Sequence, residues 1–321
     1  MSSSNPIGGY LELDLPRGEA MLHHDALLLN SGRSCFEYVL RAQKPNLVHL
    51  PKYTCDAMLE PLEKLDIPYS FYAINPELEL ADDIAVKPGE LLVYNNYFGI
   101  KDTYSRHLSQ KYRDQLILDC SQAYYFDAPS TGHTFYSCRK FFGVPDGGCL
   151  YPGSPSGEAL PAGTSYDRAS HLLKRIDLGP EAAYADFQAN EASLDGAPVT
   201  AMSPLTHRLL QAVDYSAAKR ARLANFKRLH RALGDTNKLT LSIEDTSGPL
   251  VYPYLTNDSA LRQKFIAHKV FVATYWPNVL EWSREGELEY HLATNLLALP
   301  IDQRYNTSDM ERILAIIEGA A

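Results

Sequence analysis

The residues best suited to chemistry lie in two short stretches, LILDCSQAYY (116–125) and FYSCRKFFGVPDGG (135–148). Asp119 and Gln122 fall at the end of an apolar run of strand length, where open α/β sheets place their ligands. Lys140 stands in sequence among Phe135, Tyr136, Phe141 and Phe142. An apolar setting favours the neutral form of an amine, and the neutral amine is the nucleophile. Gly147-Gly148 permits close backbone approach. Upstream, NSGRSCFEYVL (30–40) sets Gly32 and small polar neighbours just before a helical pattern, and a helix N-terminus offers free N–H groups to a phosphate.

Each of these residues also has a purely structural use. Asp119 alone suits a helix cap. A lysine between aromatic residues can snorkel along them, and Ser-Gly-Arg-Ser is ordinary turn composition. The functional reading rests on their order and spacing taken together. His23-His24 has no ligand partners at metal spacing and reads as surface or local packing, so no metal site is expected. Tyr275, Trp276 and Tyr290 could line a substrate mouth, but core packing is the better reading of them. No H-E-x-x-H, Walker loop, G-x-S-x-G or G-x-G-x-x-G is present.

These residues need a scaffold of alternating elements. LVHLP (47–51), ELLVYNN (90–96), QLILDC (115–120) and GGCLYP (147–152) read as strands, and their near-continuous apolar character suits a parallel sheet covered on both faces. Between them, 34–43, 55–65 and 103–113 carry helical spacing, which implies a layered α/β domain. A long helix is expected from Ser203. Ser203 suits an N-cap and Pro204 the first turn, an apolar stripe runs through Leu205, Leu209, Val213, Phe226, Leu229 and Leu233, and Gly234 is the stop. Strand-like segments (239–243 and 250–255) then alternate with helical ones (258–268 and 308–318), as in a smaller α/β domain. Residues 154–200 are rich in Gly, Pro, Ser and Ala, resist assignment, and could include a mobile loop. The expected division is an N-terminal segment 1–30, a large domain 31–202, and a connecting helix with a small domain 203–321.

The 321 residues suffice for two packed subdomains. Hydrophobic residues make up 45% and charged residues 21%, the balance of a soluble globular protein. A net charge of −9 makes nucleic acid an unfavourable partner. There is no secretory signal and no apolar stretch of membrane-spanning length. The five cysteines are an odd number with no C-x-x-C pair, which points to reduced thiols and a cytoplasmic setting.

The order of these motifs resembles the fold-type I pyridoxal-phosphate enzymes, and among them the DegT/DnrJ/EryC1/StrS aminotransferase family. Asp119, Gln122 and Ala123 are similar to its Asp-x-x-Gln-Ala motif. Lys140 then stands where the family has its Schiff-base lysine, and Asp146-Gly147-Gly148 follows as an acidic residue before Gly-Gly does there. Ser31-Gly32-Arg33 resembles the family's Ser-Gly-Thr helix start, Pro51-Lys52-Tyr53-Thr54 its Pro-x-x-Thr, and Tyr97-Phe98-Gly99 its Leu-Tyr-Gly. Met202-Ser203 resembles the start of its connecting helix, and Tyr252-Pro253 with LLALPID (296–302) its C-terminal strands.

The resemblance implies a fold-type I architecture, with a large, mostly parallel-sheet domain and a smaller C-terminal α/β domain. It implies pyridoxal 5'-phosphate held by Lys140, which also serves as acid and base. Asp119 would pair with the pyridinium nitrogen and Gln122 with the ring oxygen. Gly32, Arg33 and Ser34 would bind the phosphate, as would Ser137, which resembles a phosphate-binding serine of aspartate aminotransferases. Cys55 falls where the family has an aromatic residue stacked on the ring, so Tyr53 or Tyr97 would cover the ring instead. Phe141 replaces a common Asn, and Val199-Thr200-Ala201-Met202 stands for the Asn-Tyr-Arg-Met that reaches the neighbouring subunit's site. These departures touch substrate contacts more than cofactor contacts.

The implied activity is a homodimeric aminotransferase acting on a sugar or small keto substrate with a separate amino donor. Elimination or desulfuration on the same cofactor, and a non-catalytic ligand-binding relic of the fold, are the alternatives. The lysine argues against the related sugar dehydratases, which carry histidine there.

Overall fold

The computed structural model describes residues 7–16, 20–152, 160–242 and 246–319. Its centre is a seven-stranded sheet in the order β1-β7-β6-β5-β4-β2-β3, formed by β1 (Leu27–Leu29), β2 (Leu47–Pro51), β3 (Tyr69–Tyr72), β4 (Glu90–Asn95), β5 (Leu116–Asp119), β6 (His133–Ser137) and β7 (Gly148–Tyr151). The pairs from β3 through β6 are parallel, while β7 runs antiparallel to both β6 and β1. This corrects the parallel assignment of 147–152. Cys138–Gly147 is too short to return the chain for a parallel strand, which needs a crossover of a dozen or more residues.

Helices α1 (Gly32–Gln43), α2 (Leu59–Lys64) and α3 (Asp102–Tyr112) make the early crossovers. Leu29, Phe36, Val39, Leu40, Val48, Leu50, Val93, Ile117 and Phe135 form one apolar layer between α1 and the sheet. The all-buried β4 shows why its sequence reads as a continuous apolar run: it is covered on both faces.

The stretch that resisted assignment contains a helical hairpin, α4 (Ser170–Asp177) and α5 (Pro180–Ala192). The possible loop there falls partly on 154–159, which lie outside the described residues. The single long helix expected from Ser203 is two helices, α6 (Pro204–Gln211) and α7 (Tyr215–Leu233). Ser203 caps α6 by accepting from Thr206 N–H at 3.1 Å. Asp214 restarts the helix by accepting from Ala217 N–H at 2.7 Å, a cap that breaks the run. Gly234 ends α7.

The C-terminal part has a two-stranded antiparallel sheet, β8 (Val251–Leu255) with β9 (Leu296–Pro300). It is flanked by α8 (Leu261–Ala267), α9 (Val279–Trp282), α10 (Leu288–Asn295) and α11 (Thr307–Glu318). Of the strand expected over 239–243, residues 239–242 are irregular and 243 lies outside the described residues. The architecture is α/β with a mostly parallel main sheet, as expected.

Candidate active site

A cleft of about 590 Å³ opens at the carboxyl ends of the parallel strands. Ser31, Gly32 and Arg33 line it from the start of α1, Cys55 from the segment after β2, Asp119 and Ser121 from the end of β5, and Ser137 and Lys140 from the end of β6. Open α/β sheets gather ligand-binding groups at such strand ends because the loops there diverge.

The α1 terminus is built by a local network. Ser31 adopts an extended backbone and its Oγ accepts from Ser34 N–H at 3.0 Å. Gly148 makes the close packing of this terminus possible. A Cβ at Gly148 would meet Ser31 O at 2.4 Å and Cys35 Sγ at 2.7 Å. Gly32 faces Ser121, with room for a Cβ only at 3.2 Å from Ser121 Oγ. Ser34, expected at a phosphate, is outside the cleft lining and takes part in the cap, accepting from Ser31 Oγ at 2.9 Å.

Lys140 is exposed into the cleft, not wrapped by the aromatic residues around it in sequence. The 3₁₀ turn Cys138–Lys140 explains the difference: it turns Lys140 outward while Phe141 and Phe142 enter the core. Lys140 Nζ lies 5.9 Å from the centre of the Tyr275 ring. Asp119 ends β5, and its Oδ1 accepts from Ser121 N–H at 2.8 Å in a turn rather than at a helix start, which removes the helix-cap reading. Burial pushes the Asp119 carboxyl above its usual range, and nearby Lys140 and the Ser121 hydrogen bonds pull it partly back. The Cys55 thiol is likewise pushed up by burial and drawn down by Lys140.

Besides Ser34, three expected residues are placed elsewhere. Gln122 is outside the cleft lining, with its Oε1 accepting from Phe98 N–H at 2.8 Å. Its Nε2 is buried without a partner among the described residues. Tyr53 and Tyr97 are fully buried, and Tyr97 donates to Tyr53 O at 2.9 Å, so neither reaches the cleft to cover a ring. Both rings are claimed by the aromatic core, Tyr53 by Trp276 and Tyr97 by Tyr94. His23 packs inside, stacked on Tyr136 at 4.0 Å.

The cleft also contains groups that motif reading passed over. Arg139, next to Lys140, pairs with Glu191 of α5. Burial and the neighbouring Arg33 and Arg168 pull the Arg139 guanidinium down to about 10. Arg33 is held by Glu60 at 2.5 Å, Asp195 at 2.8 Å and Leu194 O at 2.8 Å. Gln188, Leu194 and Asp195 complete this wall. Adjacency to Lys140 was the one sequence signal for Arg139; the α5 wall arrives from far along the chain and left none.

No protein-family model and no curated protein matches the sequence. Solved structures do match. A putative sugar aminotransferase, Spr1654, from Streptococcus pneumoniae superposes with a TM-score of 0.65 at 14% identity, covering 92% of this chain and 85% of that one. The sugar aminotransferase CalS13 from Micromonospora echinospora gives 0.64 at 13% identity, over 93% and 88%. A DegT DnrJ EryC1 StrS aminotransferase from Brucella abortus gives 0.60 at 14% identity, over 92% and 85%. The chain has the fold of these aminotransferases.

Proposed function

We propose that the protein is a pyridoxal-phosphate-dependent aminotransferase, with Lys140 as the residue that holds the cofactor and a sugar or small keto compound as substrate. The convergence of an exposed lysine amine, a half-buried carboxylate and a helix N-terminus on one cleft supports this most strongly. The neighbours are sugar aminotransferases by description, and Spr1654 is known in forms with pyridoxal and pyridoxamine phosphate.

The residues fit that cofactor. Its phosphate suits the α1 terminus, where Gly32 and Arg33 line the cleft and Ser137 brings a hydroxyl. Its ring nitrogen suits Asp119, whose burial strengthens any charged hydrogen bond it makes.

Bound pyridoxal phosphate supplies an electron-accepting ring. Lys140 Nζ, exposed into the cleft, would hold it covalently and would serve as the amine that takes up and returns a proton. Asp119 would favour a proton on the ring nitrogen by offering it a carboxylate. The Gly32 and Arg33 N–H groups at the start of α1 would hold the cofactor's phosphate. The Tyr275 ring beside Lys140 Nζ shields one flank of the amine. Mixing cofactor-loaded protein with glutamate should convert the visible absorption to that of the amine form and yield 2-oxoglutarate. Loss of the visible band with no keto acid, for glutamate and other amino donors alike, would overturn transamination.

Residues 31–202 would form the cofactor-binding domain and 203–321 the connecting helices and small domain, in a cytoplasmic protein. No described helix is long and apolar enough to cross a membrane. A homodimer is also proposed. Leu173, Ile176, Leu178 and Tyr184 leave an exposed apolar face on α4, α5 and their connection, beside the cleft. Sedimentation should show a dimer at micromolar concentration; a strict monomer with full cofactor binding would contradict it.

A further inference from the structure

Arg33 and Arg139 flank the α1 terminus, and each already carries an acidic partner from the end of α5 or the turn beyond it; Arg33 carries a second, Glu60 of α2. Arg33 weakens the charged form of Arg139, so the two guanidinium groups feel each other and an anion between them relieves the repulsion. We infer that Glu191 and Asp195 take the places of phosphate oxygens on Arg139 and Arg33, so that a phosphorylated ligand binds by exchanging with these carboxylates. The inference rests on the α1 terminus being the phosphate end of the proposed cofactor site.

Three observations carry it. Glu191 lies in the last turn of α5, where the helix macrodipole disfavours a carboxylate, so its position does not serve the helix. Its match is Arg139, across the cleft. The acidic partners are also easily released. The Asp195 side chain is 67% exposed and that of Glu191 45%, against 18% and 17% for the two arginines. Exposed carboxylates lose little on leaving a pair, while guanidinium groups bind phosphate through two parallel hydrogen bonds. Lastly, the ionisable groups lining the cleft are three basic (Arg33, Arg139, Lys140) against four acidic (Asp56, Asp119, Glu191, Asp195). A phosphate dianion entering such a lining is opposed until Glu191 and Asp195 move aside, which leaves three basic against two acidic. Binding therefore breaks the two ion pairs that tie the end of α5 and the turn beyond it to Arg139 and Arg33.

The test uses the full-length protein and three probes: inorganic phosphate, pyridoxal phosphate and pyridoxal. Glu191→Gln, Asp195→Asn and the double variant are titrated by calorimetry and by absorbance. Affinity for phosphate and for pyridoxal phosphate should rise, by about tenfold or more in the double variant, and pyridoxal affinity should stay within about twofold. Arg139→Met should lose most of the phosphate-dependent part. Unchanged or weaker phosphate binding in the double variant overturns the exchange and makes the carboxylates positioning groups for the arginines. Should Glu191→Gln fail to fold, Asp195→Asn carries the test alone, because Asp195 is surface-exposed. Failure of the cofactor reading looks different: phosphate affinity would still rise, while pyridoxal phosphate would give no Lys140-dependent absorption in any variant.

Discussion

Asp119→Asn should move stability and chemistry in opposite directions. In the protein without cofactor, burial raises the Asp119 carboxyl above its unfolded value. A carboxyl raised on folding contributes stability that is fully present below the unfolded value and is lost as pH rises through the folded one. Folding therefore disfavours the charged form of Asp119, whereas Asn is neutral at every pH and its Oδ1 can still accept from Ser121 N–H. The variant should melt at or above the wild-type temperature at pH 7, with the advantage fading as pH falls below the carboxylate range.

The rate should behave otherwise. Opposite charges about 3 Å apart attract by about 5–6 kcal/mol at an effective dielectric of about 20. Desolvation, already visible in the raised carboxyl, offsets part of this and leaves about 2–4 kcal/mol, a loss of roughly a hundredfold or more in rate. The assay is a single turnover followed by visible absorbance after mixing loaded protein with the amino donor, alongside melting curves at several pH values. An unchanged single-turnover rate would refute the pairing of Asp119 with the ring nitrogen. A markedly lower melting temperature at pH 7 would refute the buried-charge argument.

Burial pulls His23 down to about 4 from its ordinary 6.5, so its contribution is present above pH 6.5 and lost as pH falls toward 4. The loss should be on the order of 3 kcal/mol, and denaturant melts of His23→Phe should lack that part of the acid destabilisation. Gly148→Ala puts a Cβ 2.4 Å from Ser31 O and should cost about 1–3 kcal/mol through strain. Because the strain falls on the α1 terminus, calorimetry should show weakened phosphate binding as well; full stability with normal binding would contradict the packing described. Ser203→Ala removes both the α6 cap and a donor to Asp146 Oδ1 at 3.0 Å. It should cost about 1–2 kcal/mol by thermal melting, and no loss would show that the cap is replaced.

The sequence exposed the parts of the fold that local physics controls. β2, β4 and β5 are apolar because both sheet faces are covered, and they stand out as runs. β1 is three residues long, and β3 and β6 mix Ser, Thr, His and aromatic residues, so none carries a clear period. The α4–α5 hairpin escaped because its apolar residues face outward and the α5 pattern has little amphipathic contrast.

At the site, motif order located Lys140, Asp119 and the α1 terminus, and the structure brings these into one cleft. Side-chain direction was less legible. Gln122, Tyr53 and Tyr97 sit in the right segments, but hydrogen bonds and aromatic packing made with distant residues turn them away. The Arg139–Glu191 and Arg33–Asp195 pairs join residues far apart in the chain, which spacing alone cannot reveal.

The central claim is covalent binding of pyridoxal phosphate at Lys140. Purified protein incubated with the cofactor, reduced with borohydride and digested should yield a labelled peptide containing Lys140, and Lys140→Ala should lose both label and visible absorption. Label of equal yield in the Lys140→Ala protein, or carried on another lysine in the wild type, would contradict the account.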